Sequence, residues 1–488
     1  MAVDEAVPLA DVPIPRVVPH LTDAESKAKG KTARARVPRI THGDFEPGSD
    51  RPDPVALLAS QATTRVPELV PIRYGRMLVS PFTFFRGAAL IMASDLARGT
   101  PRSGLNAQIC GDAHLSNFGM FGTPERQMVF DCNDFDETLA GPWEWDVKRL
   151  AASVVVAARN RGFSKAVRLE AIIRLGQTYR ESMRVLAALP NLEVWYSHVD
   201  VASVIELLQA RAAKSGSKAD STMAATASRI ASKAQTKDSM KALDKLTTVV
   251  DGRRCIISDP PLVVPAEQLY PQMESDAVLA MFHDVLRRYR ASLSTDRRHL
   301  LEQYKFSQLA RKVVGVGSVG TRCWIILLHG PRDDDVLFLQ AKEAEASVLE
   351  RFTKKSQYNN HGARVVAGQR LMQASSDIFL GFQRNTGPDG ITRDFYVRQL
   401  QDWKGSVDPE TAIPEGMKEY AGLCASTLAR AHARSGDRIA IASYLGNSST
   451  FDKALARFAE AYADQNERDY EAFAAACKSG RLQAEEGI

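Results

Sequence analysis

At 488 residues the chain exceeds a single compact core, so two lobes or domains with appendages are expected. Its apolar fraction of 44% and charged fraction of 25% are those of an ordinary globular protein. A formal net charge of +5 leans weakly towards anionic ligands such as phosphates, but it is too small for a nucleic-acid footprint.

Residues 1–50 are rich in Pro, Ala, Lys and Arg, including Lys27-Ala28-Lys29-Gly30-Lys31, and read as a flexible basic arm. A helix is predicted over Phe84–Arg98, where Phe85, Ala89, Ile91, Met92 and Leu96 form a broad apolar face. A short strand through Ile109 then enters the loop Cys110–Gly119, and Arg126–Phe135 reads as the next strand. Asp146 is expected to cap a helix that starts at Val147. Helical patterns dominate residues 165–300, with an Ala/Ser/Lys-rich exposed hairpin over 210–245. The character changes after Lys312: Val313-Val314, Cys323–Leu328, Val336–Leu339, Ile378–Phe382 and Phe395–Val397 are strand-like. From Pro414 onward the pattern is helical again. The six cysteines show neither a CxxC pair nor metal spacing, no secretory leader is evident, and no window approaches a membrane span. A reduced, cytoplasmic chain without membrane contact is the expectation.

The loop Cys110-Gly111-Asp112-Ala113-His114-Leu115-Ser116-Asn117-Phe118-Gly119 sets an aspartate and an asparagine five residues apart. A phosphoryl-transfer loop needs that pair. The aspartate takes or orients the proton of the attacking hydroxyl, and the asparagine holds a metal ion on the nucleotide phosphates. His114 between them reads as a structural residue that fixes the loop, because no second histidine has ligand spacing nearby. A second carboxylate ligand for the metal should follow within one β-hairpin. Asp131 and Asp134, 14 and 17 residues after Asn117, both answer: a short hairpin favours the first, and the phrase Asp134-Phe135-Asp136-Glu137 favours the second. Trp143-Glu144-Trp145 reads as core packing, and Arg73, Arg76 and Arg86 as solvated or structural.

Gly315, Gly317, Ser318 and Gly320 lie in a GxGxxG. A dinucleotide-binding unit would continue into a helix, whereas a hairpin folded over phosphates continues into a strand. The aromatic and β-branched run from Cys323 to Leu328 favours the hairpin; a plain tight turn is the bland alternative. Lys342 then closes the following strand, where a kinase places its phosphate-binding ammonium. A lysine at a strand end is usually a solvated charge; its place after the glycines raises the functional reading. The stretch Glu343–Glu350 is helix-prone, and Glu350 is the preferred acidic partner of Lys342.

Asp112 with Asn117, the Asp131/Asp134 cluster, Gly141 and Asp146 make the chain similar to the catalytic half of the aminoglycoside-phosphotransferase and choline-kinase branch of the protein-kinase-like superfamily. More closely, SPFTFFRG (80–87), CGDAHLSNFG (110–119), FDCNDFDE (130–137), GPWEWDVKRLAAS (141–153) and LARAHARSGD (428–437) resemble the bacterial family called domain of unknown function 2252. These phrases extend the resemblance over residues 50–470 or so. That family's name promises no activity; the kinase-like character rests on the motifs. Two departures stand out. Cys110 occupies a position where kinase-like loops more often carry histidine, and the glycine loop and lysine follow the catalytic loop instead of preceding it. A circular permutation accounts for the order, because native contacts do not depend on where the chain is cut.

The expectation is therefore an α+β, kinase-like two-lobed fold in permuted order. Its parts would be a basic arm (1–50), a helical lobe with the catalytic and metal loops (51–305), a small sheet lobe with the glycine loop and Lys342 (306–402), and helices completing the helical lobe (403–488). The resemblance implies an ATP- and Mg²⁺-dependent phosphotransferase acting on a small-molecule acceptor, with Asp112 as base and Asn117 with Asp131 or Asp134 on the metal. Lys342 and the glycines at 315, 317 and 320 would hold phosphate. A nucleotide-binding regulator (pseudokinase) and a nucleotidyl (AMP) transferase use the same parts. A nucleic-acid-binding protein and a Rossmann oxidoreductase fit the sequence least.

Overall fold

The run from Trp143 to Ala158 is buried on every side, and the molecule is organised around it. A helix that is buried all round must be enclosed by others. In the computed structural model, which describes residues 17–18, 20–236, 239–250, 253–272, 275–332, 334–400 and 403–488, the helix Trp143–Asn160 is packed by Lys165–Ala188, Pro414–Ser435 and Thr450–Lys478. It begins at Trp143 rather than Val147, so Asp146 does not cap it from outside but sits in its first turn. Trp143 stacks on Tyr179 with ring centroids 5.4 Å apart, as core packing requires. The fold is α+β.

Two helical expectations change. Residues 20–50 are not an arm. Helix Asp23–Arg36, closed at its start by a Thr22/Glu25 capping box, docks on Arg438–Leu445 so closely that a Cβ on Gly30 would lie 2.2 Å from the Ala440 carbonyl oxygen. Residues 1–16 and 19, the rest of that predicted arm, lie outside the described residues. The single helix expected over Phe84–Arg98 is two, Pro81–Gly87 and Ala89–Gly99, because Ala88 leaves helical geometry at φ −106° and ψ 30°. The hairpin expected over 210–245 takes the form of helices Val201–Ser215 and Lys218–Gln235, joined through Gly216 at φ 63°.

Strands β1 (Asn106–Ile109), β2 (Phe118–Gly122), β3 (Met128–Cys132) and β4 (Leu139–Pro142) frame the two acidic loops. β1 pairs with β4, and β2 with β3 in a hairpin extended by the short β5 (Val199–Asp200). β6 (Thr247–Val250) and β7 (Arg253–Ile256) form a separate pair. The large sheet holds β8 (Val263–Pro265), β9 (Lys305–Lys312), β10 (Cys323–His329), β11 (Val336–Ala344), β12 (Gly381–Thr386) and β13 (Thr392–Gln399). Their order is β12-β13-β11-β10-β9-β8, antiparallel throughout. The sheet therefore recruits β8 from before residue 306, while Val313-Val314 falls outside any strand. β11 runs on through Ala344 and only a 3-10 turn, Val348–Arg351, follows, so the helix expected over Glu343–Glu350 does not form. The helix of this region is His361–Met372, packed on β12 and β13.

Candidate active-site cleft

The loop between β1 and β2 is fixed from beneath before any ligand is considered. Cys110 N–H and Gly111 N–H donate to the two Asp146 carboxylate oxygens at 2.6 and 2.9 Å, and Gly111 turns at φ 79°. Gly111 is held there by crowding as well, since a Cβ would lie 2.5 Å from the Glu137 carbonyl oxygen. His114 Nδ1 accepts from Ser116 N–H at 3.2 Å, which puts the ring proton on Nε2, 3.8 Å from Asp112 Oδ2. Burial holds that imidazole neutral, well below its usual value, so His114 is the structural residue the sequence suggested.

Asp112 lines a cleft of about 1480 Å³ between the helical part and the large sheet. Its Oδ1 accepts from Arg149 Nε at 2.8 Å and lies 2.6 Å from Arg149 Nη2. Burial pushes the carboxyl up to about 7, with Asp134 and Glu137 adding to the effect and Arg149 opposing it. A group titrating there is suited to accept a proton at neutral pH. Asn117 also lines the cleft; its Nδ2 donates to the Asp112 carbonyl at 2.7 Å and leaves the amide oxygen as an acceptor.

The two candidate metal carboxylates separate cleanly. Asp131 lies inside β3, 2% exposed, ion-paired with Arg430 and accepting from Cys132 N–H and Ala374 N–H. Saturated and away from the cleft, it staples β3 to the helices beside it and is not a metal ligand. Asp134 lines the cleft and, among the described residues, accepts only a loop bond, from Asp136 N–H at 3.2 Å.

The glycine segment is a hairpin: β9 leads in, β10 leads out, and no helix follows Gly320. That removes the dinucleotide-binding alternative. Gly320 needs its φ of 90°, and a Cβ on Gly317 would lie 3.1 Å from the Arg86 carbonyl oxygen, so a side chain there would crowd the floor. The helical part grips the hairpin from behind: Val66 N–H donates to Gly320 O at 2.8 Å, Arg76 Nη1 to Gly315 O at 2.7 Å, and Arg65 to Val319 O. Gly315, Gly317 and Ser318 face the cleft.

Lys342, near the end of β11, does not pair with Glu350. Glu350 is engaged in a capping box with Ser347 at the cleft wall. The Lys342 ammonium instead lies 2.6 Å from Asp136 Oδ2, across 206 positions of chain. Tyr396 Oη donates to Asp136 Oδ1 at 2.6 Å and Ser318 Oγ to Oδ2 at 3.3 Å. Burial would raise the Asp136 carboxyl, but Lys342 and Tyr396 outweigh it and hold the group below its usual value. Asp136 thus ties together the acidic loop, the glycine hairpin and β11.

Three residues of this arrangement have no local sequence signal: Asp136 as the lysine's partner, Tyr396, and Arg364. Arg364, 1% exposed on helix His361–Met372, donates to the carbonyls of Thr138 (2.7 Å), Asp136 (2.8 Å) and Glu345 (2.8 Å). It clamps the acidic loop to the end of β11. Its partners are revealed only by tertiary folding.

The family described as "Uncharacterized protein conserved in bacteria (DUF2252)" matches residues 65–476 of the chain. No curated protein and no solved structure matches it. No described helix is long and apolar enough to cross a membrane.

Proposed function

The chain belongs to the bacterial family DUF2252, and we propose that it is an ATP- and Mg²⁺-dependent phosphotransferase of protein-kinase-like fold in permuted order, acting on a small hydroxyl-bearing metabolite. The observation that carries this reading is the 2.6 Å contact of Lys342 with Asp136. It joins the lysine that follows the glycine hairpin to Asp136, which lines the cleft together with Asp112 and Asp134.

Further observations support it. From β9 to the helix His361–Met372, the order is strand, glycine loop, strand, lysine strand, helix, which is the order of parts over the phosphates in a kinase. The helices after β13 pack back on Trp143–Asn160 and Lys165–Ala188, as a permuted chain requires. One departure is chemical: the helix His361–Met372 bears no acidic residue, and Asp136 takes the place of the usual helix glutamate as partner of the lysine.

The residues fit Mg²⁺ arriving with a nucleotide. Among the described residues no group of three or more His, Cys, Asp or Glu stands ready to hold a metal. The protein ligands would be Asp134 and the Asn117 amide oxygen, with phosphate oxygens and water completing the shell. Bound there, the ion supplies charge neutralisation on the transferring group.

Asp112 orients the acceptor hydroxyl and takes its proton. The acceptor oxygen forms a bond to the γ-phosphorus, and the bond from that phosphorus to the β,γ-bridging oxygen breaks, its electron pair leaving with ADP. Arg149 keeps the Asp112 carboxylate aimed, and Ser318 with the hairpin backbone covers the phosphates. In the test, Asp112→Asn keeps the far-UV circular dichroism of the wild type and lowers Mg²⁺-dependent ATP consumption by about a hundredfold or more. An unchanged rate in that folded variant sinks the assignment.

A further inference from the structure

A glycine-rich loop covers phosphates only if something holds it, because glycine gives the chain the most conformational freedom to lose. In this hairpin Gly315, Gly317 and Ser318 line the cleft, while Val313 and Val319 are buried behind it. Part of what covers them is the segment 481–488. Past helix Thr450–Lys478 the backbone reverses at Gly480, φ 78°, and passes along helix Val70–Leu78 to the hairpin. Arg481 pairs with Asp53 at 2.8 Å. Leu482 and Ala484 pack at the edge of the cluster of Tyr74, Phe84, Val316 and Phe473. Glu485 N–H donates to the Pro71 carbonyl at 2.9 Å. Ile488 then packs against the cluster of Val66, Leu69, Ile72, Val313 and Val319.

The contact is specific as well as apolar. Arg76 Nε donates to the Ile488 carbonyl at 3.1 Å and its Nη1 to the Gly315 carbonyl at 2.7 Å, so one planar guanidinium joins the segment to the first glycine of the hairpin. Gly75, beside it, leaves no room for a side chain, since a Cβ there would lie 1.8 Å from the Glu485 carbonyl oxygen. Helix Val70–Leu78 thus carries a glycine, a poor helix former, at the point where the segment crosses it. The residues that match the family end at 476, so the segment lies outside them.

We propose that residues 481–488 are a strap that positions the glycine hairpin over the cleft, with Gly75, Arg76 and Ile488 as positioning residues, and that its docking sets the affinity for the nucleotide. This rests on the phosphotransferase reading, which it deepens by assigning the element that holds the phosphate cover. The strap meets no phosphate itself. It keeps the hairpin in its covering position before the nucleotide arrives. An unstrapped hairpin holds that position for only a fraction of the time, and the apparent affinity falls by the same fraction. The rate of the bound complex is kept, because Asp112 is aimed by Arg149 and its loop is fixed by Asp146.

The test is amide hydrogen exchange of the full, nucleotide-free chain. It is read at Val319 and Thr321, whose N–H groups are bonded within the hairpin, with helix Trp143–Asn160 as the internal reference. Gly75→Ala drives the strap off with its Cβ, and Ile488→Ser removes the strap's apolar contact. In both variants the hairpin amides are expected to exchange about tenfold faster or more, while the reference helix stays within about twofold. The KM for ATP should rise about tenfold, with kcat within about threefold. Ile488→Ser, on a half-buried residue, decides the matter if Gly75→Ala does not fold. Unchanged hairpin exchange, or equal acceleration in hairpin and helix, overturns the strap. Faster hairpin exchange with an unchanged KM overturns its part in nucleotide binding. If the wild type consumes no ATP, the phosphotransferase reading falls by itself, and the exchange rates still decide whether the strap holds the hairpin.

Discussion

Replacing Asp136 by asparagine leaves the Lys342 ammonium, whose side chain is 4% exposed, without its anionic partner. Breaking a buried pair on one side costs about 3–5 kcal/mol. The Asp136 side chain is 29% exposed and water shares the site, so a loss of about 2–4 kcal/mol is expected for Asp136→Asn. Lys342→Met costs less, ~1–2 kcal/mol, because the carboxylate keeps Tyr396, Ser318 and solvent. The double variant buries neither charge and should resemble Lys342→Met alone, which gives a coupling equal to the Asp136→Asn loss, ~2–4 kcal/mol. Urea unfolding at pH 7, followed by tryptophan fluorescence, measures the cycle. Since the Asp136 carboxyl is held below its ordinary value, the coupling is present above about pH 4 and fades as the pH falls through the depressed value. Single effects that add to within ~0.5 kcal/mol would refute the pairing and the lobe contact built on it.

The Asp112 carboxyl, pushed up to about 7, should give a rate that rises with pH and reaches half its plateau near neutrality, read as kcat/KM against pH. The same shift makes the wild type lose stability relative to Asp112→Asn between about pH 4 and 7, on the order of 2–4 kcal/mol, because the folded state alone binds that proton there. Asp146→Ala frees Cys110 N–H and Gly111 N–H together, and should cost ~2–4 kcal/mol in urea unfolding and most of the activity, although Asp146 never meets substrate. Lys148 is fully buried with no hydrogen-bond partner for its ammonium among the described residues, and burial pushes it down to about 7. Lys148→Met should therefore stabilise the protein by roughly 2 kcal/mol below pH 7 and abolish the wild type's gain in stability between about pH 7 and 10.

What could be read from the sequence was local chemistry. Asp112, Asn117 and His114 share one glycine-bounded loop, and the fold sets all three against the cleft. The residues after Gly320 are β-formers, so the hairpin was legible from them alone. Long-range partners were not. Asp131 and Asp134 are indistinguishable by spacing, and only Arg430, brought from a distant helix, makes one of them structural. Glu350 was the preferred partner of Lys342 on the helix expected over Glu343–Glu350, but β11 continues past the lysine as a strand, which carries Glu350 into a turn and leaves Asp136 to meet the ammonium. The basic composition of residues 20–50 concealed a docked helix, because small residues such as Gly30 allow close approach without an apolar stripe. Arg73 and Arg86 read as solvated or structural, and the sequence could not choose, because a cation's burial depends on what folds over it.

The most direct test of the central claim is ³¹P NMR of ATP and Mg²⁺ incubated with the purified protein and a small-metabolite extract. The account predicts that the γ-phosphate resonance declines as ADP and a new phosphate-ester resonance grow, and that Asp112→Asn shows neither change. Release of pyrophosphate with an AMP-bearing product, or a spectrum unchanged from the protein-free control, would contradict it.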